Sequence, residues 1–421
     1  MADALTTGSL VTLTPEKAVA GGRMLARVDG RVILVAGGIP GEPVRARIER
    51  VERSMAWATV EAVLEPHVSR RPVQGDPRCG GAVYAHIEYP EQLRHKADVI
   101  QDGLKRLARL EPPEPVAVTP SPEHGYRMRA RLHVRNGRIG FFLEGTHRIC
   151  PAAESGQLLP DTCRVLDDVG ERLQASELNG DADLELSENV AADMRAVHVE
   201  LAPGARFGMP EELGPVPGLT GFSWSHPAER CDVLVSGSPF VTDRIAAVAL
   251  RRHVRAFFQG NRFLIEPLVA HVAAACPAGP VLDLYAGVGL FGVCLAATGR
   301  HAVTAVESHP ASAKDLAQNA EPYASAVTVC EMPVEQFVSR PRIEPGTTLV
   351  LDPPRSGMSR EAAEGAVALR APRVVFISCD VATFARDLAR FVAAGYRLTA
   401  LRGFDLFPAT AHVETVAVLE R

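Results

Sequence analysis

VLDLYAGVGLFGVCLA, residues 281–296, joins an apolar run, a glycine turn and the start of a helix. Gly287 and Gly289 let a backbone turn tightly and approach a ligand, and the helix that follows offers free N–H groups at its first turn. A plain tight turn or a dinucleotide site fits the glycine pair as well. A Walker loop is excluded, because no Gly-Lys-Ser/Thr follows. The order D-L-Y-A-G-V-G is not G-x-G-x-x-G, and it suits a sulfonium cofactor with an adenosine end better than a pyrophosphate. Glu307, ending the next apolar run AVTAVE, is placed to accept hydrogen bonds from ribose hydroxyls.

Outward from this turn, GPVLDLYA, AVTAVE, AVTVC, TLVLDPP and RVVFISCD alternate with helical stretches. Near-continuous apolar strands of this kind predict a parallel sheet covered on both faces. YRLTALRGFDLF and HVETVAVLER have no room for a helix between them, which predicts an antiparallel hairpin at the sheet edge. Three loops fall at carboxyl ends of strands, where open sheets bind ligands. LDPPRSG (351–357) carries Asp352, ISCD (377–380) carries Cys379, and HVE (412–414) carries Glu414. Singly these read as a helix cap, a core thiol and a surface carboxylate.

Toward the N-terminus, RMLARV, RVILVA, PVRARIERV and AWATVEAVL are separated by Asp29-Gly30 and GGIPGE. Short strands with such turns predict a small barrel of the oligonucleotide-binding sort. Arg45, Arg47, Arg50 and Arg53 fit either a solvated barrel face or RNA contact. YPEQLRHKADVIQDGLKRLARL has helical period, with Leu93, Ile100, Leu104, Leu107 and Leu110 near one stripe. In YRMRARLHVRNGRIGFFL, Arg127, Arg129, Arg131, His133 and Arg135 share one parity and Met128, Ala130, Leu132 and Val134 the other. A strand then carries a cationic stripe over an apolar layer, and phosphate contact is the favoured reading.

The whole chain has 421 residues, 47% hydrophobic, with a net charge of −5. That length exceeds one ordinary core, and the charge makes any RNA surface a local one. MADALTTGSL lacks a basic region followed by an apolar one and no 18-residue apolar run occurs, so neither a signal peptide nor a membrane span is expected. Eight scattered cysteines (79, 150, 163, 231, 276, 294, 330 and 379) with no CxxC predict reduced, mostly buried thiols in a cytoplasmic protein and give a local metal site no support.

Taken together, these motifs resemble the S-adenosylmethionine-dependent RNA uridine-5-methyltransferases, along nearly the whole chain. DGRVILVAGGIPGE is similar to their TRAM domain, and CGGAVYAHIEYPEQLRHK to the segment around their cluster with its Tyr–Gln–Lys tail. AFFQGN, DLYAGVG, DPPRSG, SCDVATFARDL and FDLFPATAHVETV match further family motifs. The resemblance implies Cys379 as nucleophile and Glu414 as base. It implies cofactor contacts from Gln259, Tyr285, Gly287 and Glu307, with Asp352 lining the reaction site. The expected organisation is a Rossmann-like α/β methyltransferase domain (236–421), a TRAM-like β-barrel (1–68) and a mixed α+β central RNA-binding domain (69–235). The cofactor implied is S-adenosylmethionine and the partner RNA, with 23S rRNA ahead of tRNA; a monomer without membrane contact is expected.

Two departures stand out. Many members hold an iron–sulfur cluster, but Val73 and Ala82 occupy two ligand positions here; Cys79 keeps the second, and Cys150 or Cys163 answers to the fourth. No cluster is therefore expected. Asp380-Val381 replaces the usual Asn-Pro after the nucleophile, and a carboxylate facing Cys379 would oppose its thiolate.

Overall fold

The computed structural model describes residues 5–227, 232–339 and 343–421. Cys231 lies outside the described residues.

Seven strands near the C-terminus form the catalytic sheet: β1 (Gly279–Leu284), β2 (His301–Glu307), β3 (Val327–Glu331), β4 (Thr348–Leu351), β5 (Arg373–Ser378), β6 (Arg397–Phe404) and β7 (Glu414–Glu420). Their order is β3-β2-β1-β4-β5-β7-β6. The first five run parallel, whereas β7 is antiparallel to both β5 and β6. Alternate residues feed two cores: Leu349 and Leu351 pack on one face, Val350 on the other. Burial on both faces is why these strands lack polar alternation. The β6–β7 hairpin does not close the sheet, contrary to the expectation of an edge position. Ala117–Thr119, from far upstream, pairs parallel with β6 and covers it. An uncovered edge would expose unpaired backbone groups.

The N-terminal sheet has six strands, Leu10–Leu13 and Lys17–Ala18 at its two ends, and is curled into a half-barrel consistent with a TRAM-like unit. Asp29 and Gly30 both take positive φ and turn Met24–Val28 into Arg31–Ala36, as the Asp-Gly signal predicts. Arg47 pairs with Glu61, and Arg50 lies over the Trp57 ring at 3.6 Å.

A seven-stranded sheet follows, in which Arg129–Arg135 lies between Arg138–Phe142 and Ala182–Glu188. Helix Pro160–Ala175 buries Val165, Leu166, Val169 and Leu173 against it. The cationic stripe is a correction. Its parity is as read, with Met128, Ala130, Leu132 and Val134 fully buried behind it. But the neighbouring strand answers it with acids: Arg129 pairs with Glu185, Arg131 and His133 with Asp183, and Arg135 with Asp181. Arg127 donates to Gln157 Oε1 at 2.6 Å. The face is a charge ladder rather than a free cationic surface.

The cysteines bring a second correction. Cys79 and Cys150 form a disulfide across 71 residues, instead of staying reduced. Both are buried in a small cluster with Leu143, against which Ala82 packs. Cys163 is buried elsewhere, on helix Pro160–Ala175, so Cys150 is the cysteine that shares a site with Cys79. Cys276, Cys294, Cys330 and Cys379 are free.

Candidate active site

Beyond β1 the chain turns through Tyr285, Gly287 and Gly289, all at positive φ. Gly289 (φ 95°) precedes helix Leu290–Ala297, and a Cβ there would come within 2.5 Å of Val293 and 2.8 Å of Leu316. At Gly287 an added Cβ would meet nothing within 4 Å, so the turn opens onto space. Glu307, at the end of β2, holds this turn: its Oε2 accepts the Gly287 N–H at 2.8 Å, and its Oε1 accepts N–H groups of Ser308 and His309.

Asp283, inside β1, is fully buried, and its Oδ2 accepts the Gly292 N–H at 2.9 Å. Its Oδ1 has no partner among the described residues. Desolvation raises its carboxyl to about 8, with Asp352 and Glu307 adding to the effect. An orphaned buried oxygen, an open glycine turn and a half-buried carboxylate at the next strand end fit the amino acid and ribose of S-adenosylmethionine. Gln259 is buried and donates to Asp352 Oδ2 at 3.3 Å, joining two residues 93 positions apart.

Asp352 follows β4 and Cys379 follows β5. Antiparallel pairing of β5 with β7 sets Ser378 opposite Thr415, so the next step brings Cys379 opposite Glu414. Glu414 is 2% exposed. Desolvation, then the charge of Asp352, raises its carboxyl well above the usual range. Asp352 itself is raised to about 7 by desolvation, against the Gln259 hydrogen bond. Burial and the charges of Glu414 and Asp352 push the Cys379 thiol up to about 12, while Arg355 opposes them. His412 is lowered to about 4 by burial, then by Arg355 and Lys96.

All seven residues singled out in the sequence lie at these strand ends or beside them. Asp380 does not act as feared. Its carboxylate caps helix Val381–Ala393, accepting N–H groups from Ala382 at 3.0 Å and Thr383 at 2.9 Å. Arg355, not singled out before, is a cation acting on both Cys379 and His412; its place in DPPRSG was the available signal. Asn261, two residues beyond Gln259, was also missed; it donates to Leu406 O at 3.0 Å and to Ser121 Oγ at 2.9 Å.

Comparison with known proteins places this geometry. The tRNA (Uracil-5-)-methyltransferase family model matches residues 344–421, the part that carries Asp352, Cys379 and Glu414. An uncharacterized RNA methyltransferase of Gloeobacter violaceus is 31% identical over 99% of this chain and 98% of its own length. A 23S rRNA uracil-C5-methyltransferase of Halomonas elongata is 32% identical over 95% of this chain and 87% of its own. The chain belongs to the S-adenosylmethionine-dependent RNA uracil-C5-methyltransferase family. The fold agrees: a tRNA (uracil-54, C5)-methyltransferase of Pyrococcus abyssi, solved with S-adenosyl-L-homocysteine, superposes with a TM-score of 0.73 at 24% identity, covering 97% of this chain and 99% of that one. The activity of this uracil-C5-methyltransferase is transfer of a methyl group to C5 of a uridine in RNA. Among the described residues, no group of three or more His, Cys, Asp or Glu is arranged to hold a metal ion, and no helix is long and apolar enough to cross a membrane.

Proposed function

We propose that this methyltransferase works through a covalent adduct in which Cys379 is the nucleophile and Glu414 the base. The observation that carries the reading is the register of β5 and β7, which sets a free thiol opposite a buried carboxylate. C5 of uracil is a poor nucleophile. When the Cys379 thiolate adds to C6, the ring becomes an enolate whose C5 can form the new C–C bond. S-adenosylmethionine, when bound, would supply the electrophilic methyl group from its sulfonium, the S–CH3 electron pair staying on sulfur as a neutral thioether. Within the chain, Arg355 already favours the thiolate. Glu414 then takes the C5 proton, the C6–S bond breaks, and its electron pair returns to Cys379 as thiolate. Gln259, Tyr285, Gly287 and Glu307 hold the cofactor, and Asp352 lines the reaction centre. The target base reaches the strand ends only if it is presented unstacked.

The reading extends to two RNA classes. The family description names tRNA, and its match covers the catalytic strands. The Halomonas relative, which covers the two preceding sheets as well, is named for 23S rRNA. The experiment incubates purified protein and labelled S-adenosylmethionine with unmodified tRNA and, separately, 23S rRNA transcripts, followed by nucleoside mapping. Label in 5-methyluridine of one RNA, lost in Cys379→Ala, is expected. A Cys379→Ala variant that still methylates would remove the thiol from the reaction.

A further inference from the structure

Helix Tyr89–Gly103 turns an unexpected face inward. Gln92, His95 and Lys96 are buried, whereas Leu107, beyond its end, is 51% exposed. Of the apolar stripe, Ile100 and Leu104 are fully buried as well, and Leu93 and Leu110 partly so. What covers the polar face is the segment joining β6 to β7, residues 405–413, whose end delivers Glu414. The Lys96 ammonium pairs with the Asp405 carboxylate and donates to Phe407 O at 3.0 Å. The Tyr89 hydroxyl donates to the other Asp405 oxygen at 3.0 Å and accepts the Ser121 N–H at 2.7 Å. Gln92 Oε1 accepts the Ala409 N–H at 2.9 Å, while its Nε2 donates to Ile87 O at 2.9 Å. Ala409 O in turn accepts the Tyr84 N–H at 2.7 Å.

Ala409 sits at φ 60°, in the left-handed region that alanine disfavours. Such a conformation persists only when its surroundings over-determine it, and both of its backbone polar groups are held by the upstream segment. A buried ion pair such as Lys96–Asp405 is also a weak source of net stability compared with apolar packing. It does fix geometry, because neither charge tolerates losing its partner.

We propose that Gln92 and Lys96 are positioning residues for Glu414: by fixing the backbone at Asp405, Phe407 and Ala409, they set where the carboxylate meets the C5 proton. The inference rests on Glu414 being the base. Loosening the clamp leaves addition of Cys379 and methyl transfer intact and slows proton removal, so methylated RNA stays bonded to the enzyme.

The test compares Gln92→Leu, the charge-free pair Lys96→Met with Asp405→Asn, and Glu414→Gln, each checked for S-adenosylmethionine binding and melting. Single-turnover reactions with labelled target RNA are read on denaturing gels and by intact mass. Glu414→Gln is expected to trap adduct. The clamp variants are expected to accumulate about tenfold more adduct than wild type, a fraction of the roughly 10²–10⁴ that a positioned base contributes. Ala409→Gly in the Gln92→Leu background is expected to restore release partly, because glycine adopts the left-handed conformation without a clamp. A purely structural helix would lower the melting temperature without trapping RNA or responding to Ala409→Gly. If Glu414→Gln traps adduct while cofactor-binding clamp variants turn over cleanly, the positioning role is overturned alone. If Glu414→Gln turns over without trapping, the base assignment and the positioning role fall together.

Discussion

Cys379 has to become a thiolate among groups that oppose its charge. Burial comes first, then Glu414 and Asp352, and together they hold the thiol at about 12. Below that value the thiolate fraction rises about tenfold per pH unit, so alkylation of Cys379 by iodoacetamide is expected to be slow at neutral pH and to climb through the alkaline range. Burial, then the charge of Asp352, also raises the Glu414 carboxyl well above the usual carboxylate range. Its charge therefore bears on Cys379 only above its own raised pKa. Glu414→Gln removes a charge that opposes the thiolate and is expected to speed alkylation, more at high pH than at low, read by mass of the Cys379 peptide. Equal rates at every pH would separate the two side chains electrostatically. The convergence of Asp352, Cys379 and Glu414 was legible because each sits in a short motif at a strand end, whereas Gln259 lies in a loop and was carried by the resemblance of AFFQGN alone. The role of Asp380 was not, because one sequence position serves equally as neighbour of a thiol and as cap of a helix. The cap prevails, since two free N–H groups lie within 3.0 Å.

At the scale of elements, parity along a strand is readable but its neighbour is not. The Arg129–Arg135 strand shows its basic face plainly, yet the acids that neutralise it lie about fifty residues on, in Ala182–Glu188 and just before it. Helix Tyr89–Gly103 is legible only in part: Ile100 is buried as its period predicts, but Gln92 and Lys96 are buried too, against a loop more than 300 residues away. The ladder changes what substitution does. Exposed pairs such as Arg131–Asp183 contribute about 0–1 kcal/mol to stability. Replacing Asp181 and Asp183 with Asn leaves the fold in place and frees Arg131, His133 and Arg135. RNA affinity at low salt is expected to rise, and its salt dependence to steepen by up to about 0.7–0.9 per cation newly engaged with phosphate. A salt slope equal to wild type would show that the ladder faces away from RNA.

Across the whole molecule, one buried carboxylate joins units that sequence order keeps apart. Glu188 ends a strand of the central sheet and is fully buried. Its carboxylate pairs with Arg195 of the next strand and with Arg262, and accepts the Thr162 hydroxyl at 2.5 Å from helix Pro160–Ala175. Its backbone carbonyl accepts Arg252 at 2.6 Å, from the hairpin Phe240–Ile245/Val248–His253 that packs beside the catalytic core. Arg252 is also paired with Asp243. Arg262 donates to Gly125 O at 2.9 Å and lies three residues from Gln259, so the network ends at the cofactor side of the site. No local pattern announces it, because its members come from segments far apart in the sequence. Removing one charge from such a site leaves two guanidinium groups short of an anion. Glu188→Gln is expected to cost about 3–5 kcal/mol, read as a fall in denaturant midpoint. Thr162→Ala removes one neutral hydrogen bond and is expected to cost about 0.5–1.5 kcal/mol, or somewhat more because its acceptor is charged. If the network couples the central sheet to the catalytic sheet, Glu188→Gln unfolds in a transition that splits, with central-sheet fluorescence from Trp224 lost before S-adenosylmethionine binding is. A single coincident transition with a midpoint near wild type would show that the apolar cores alone hold the two sheets together.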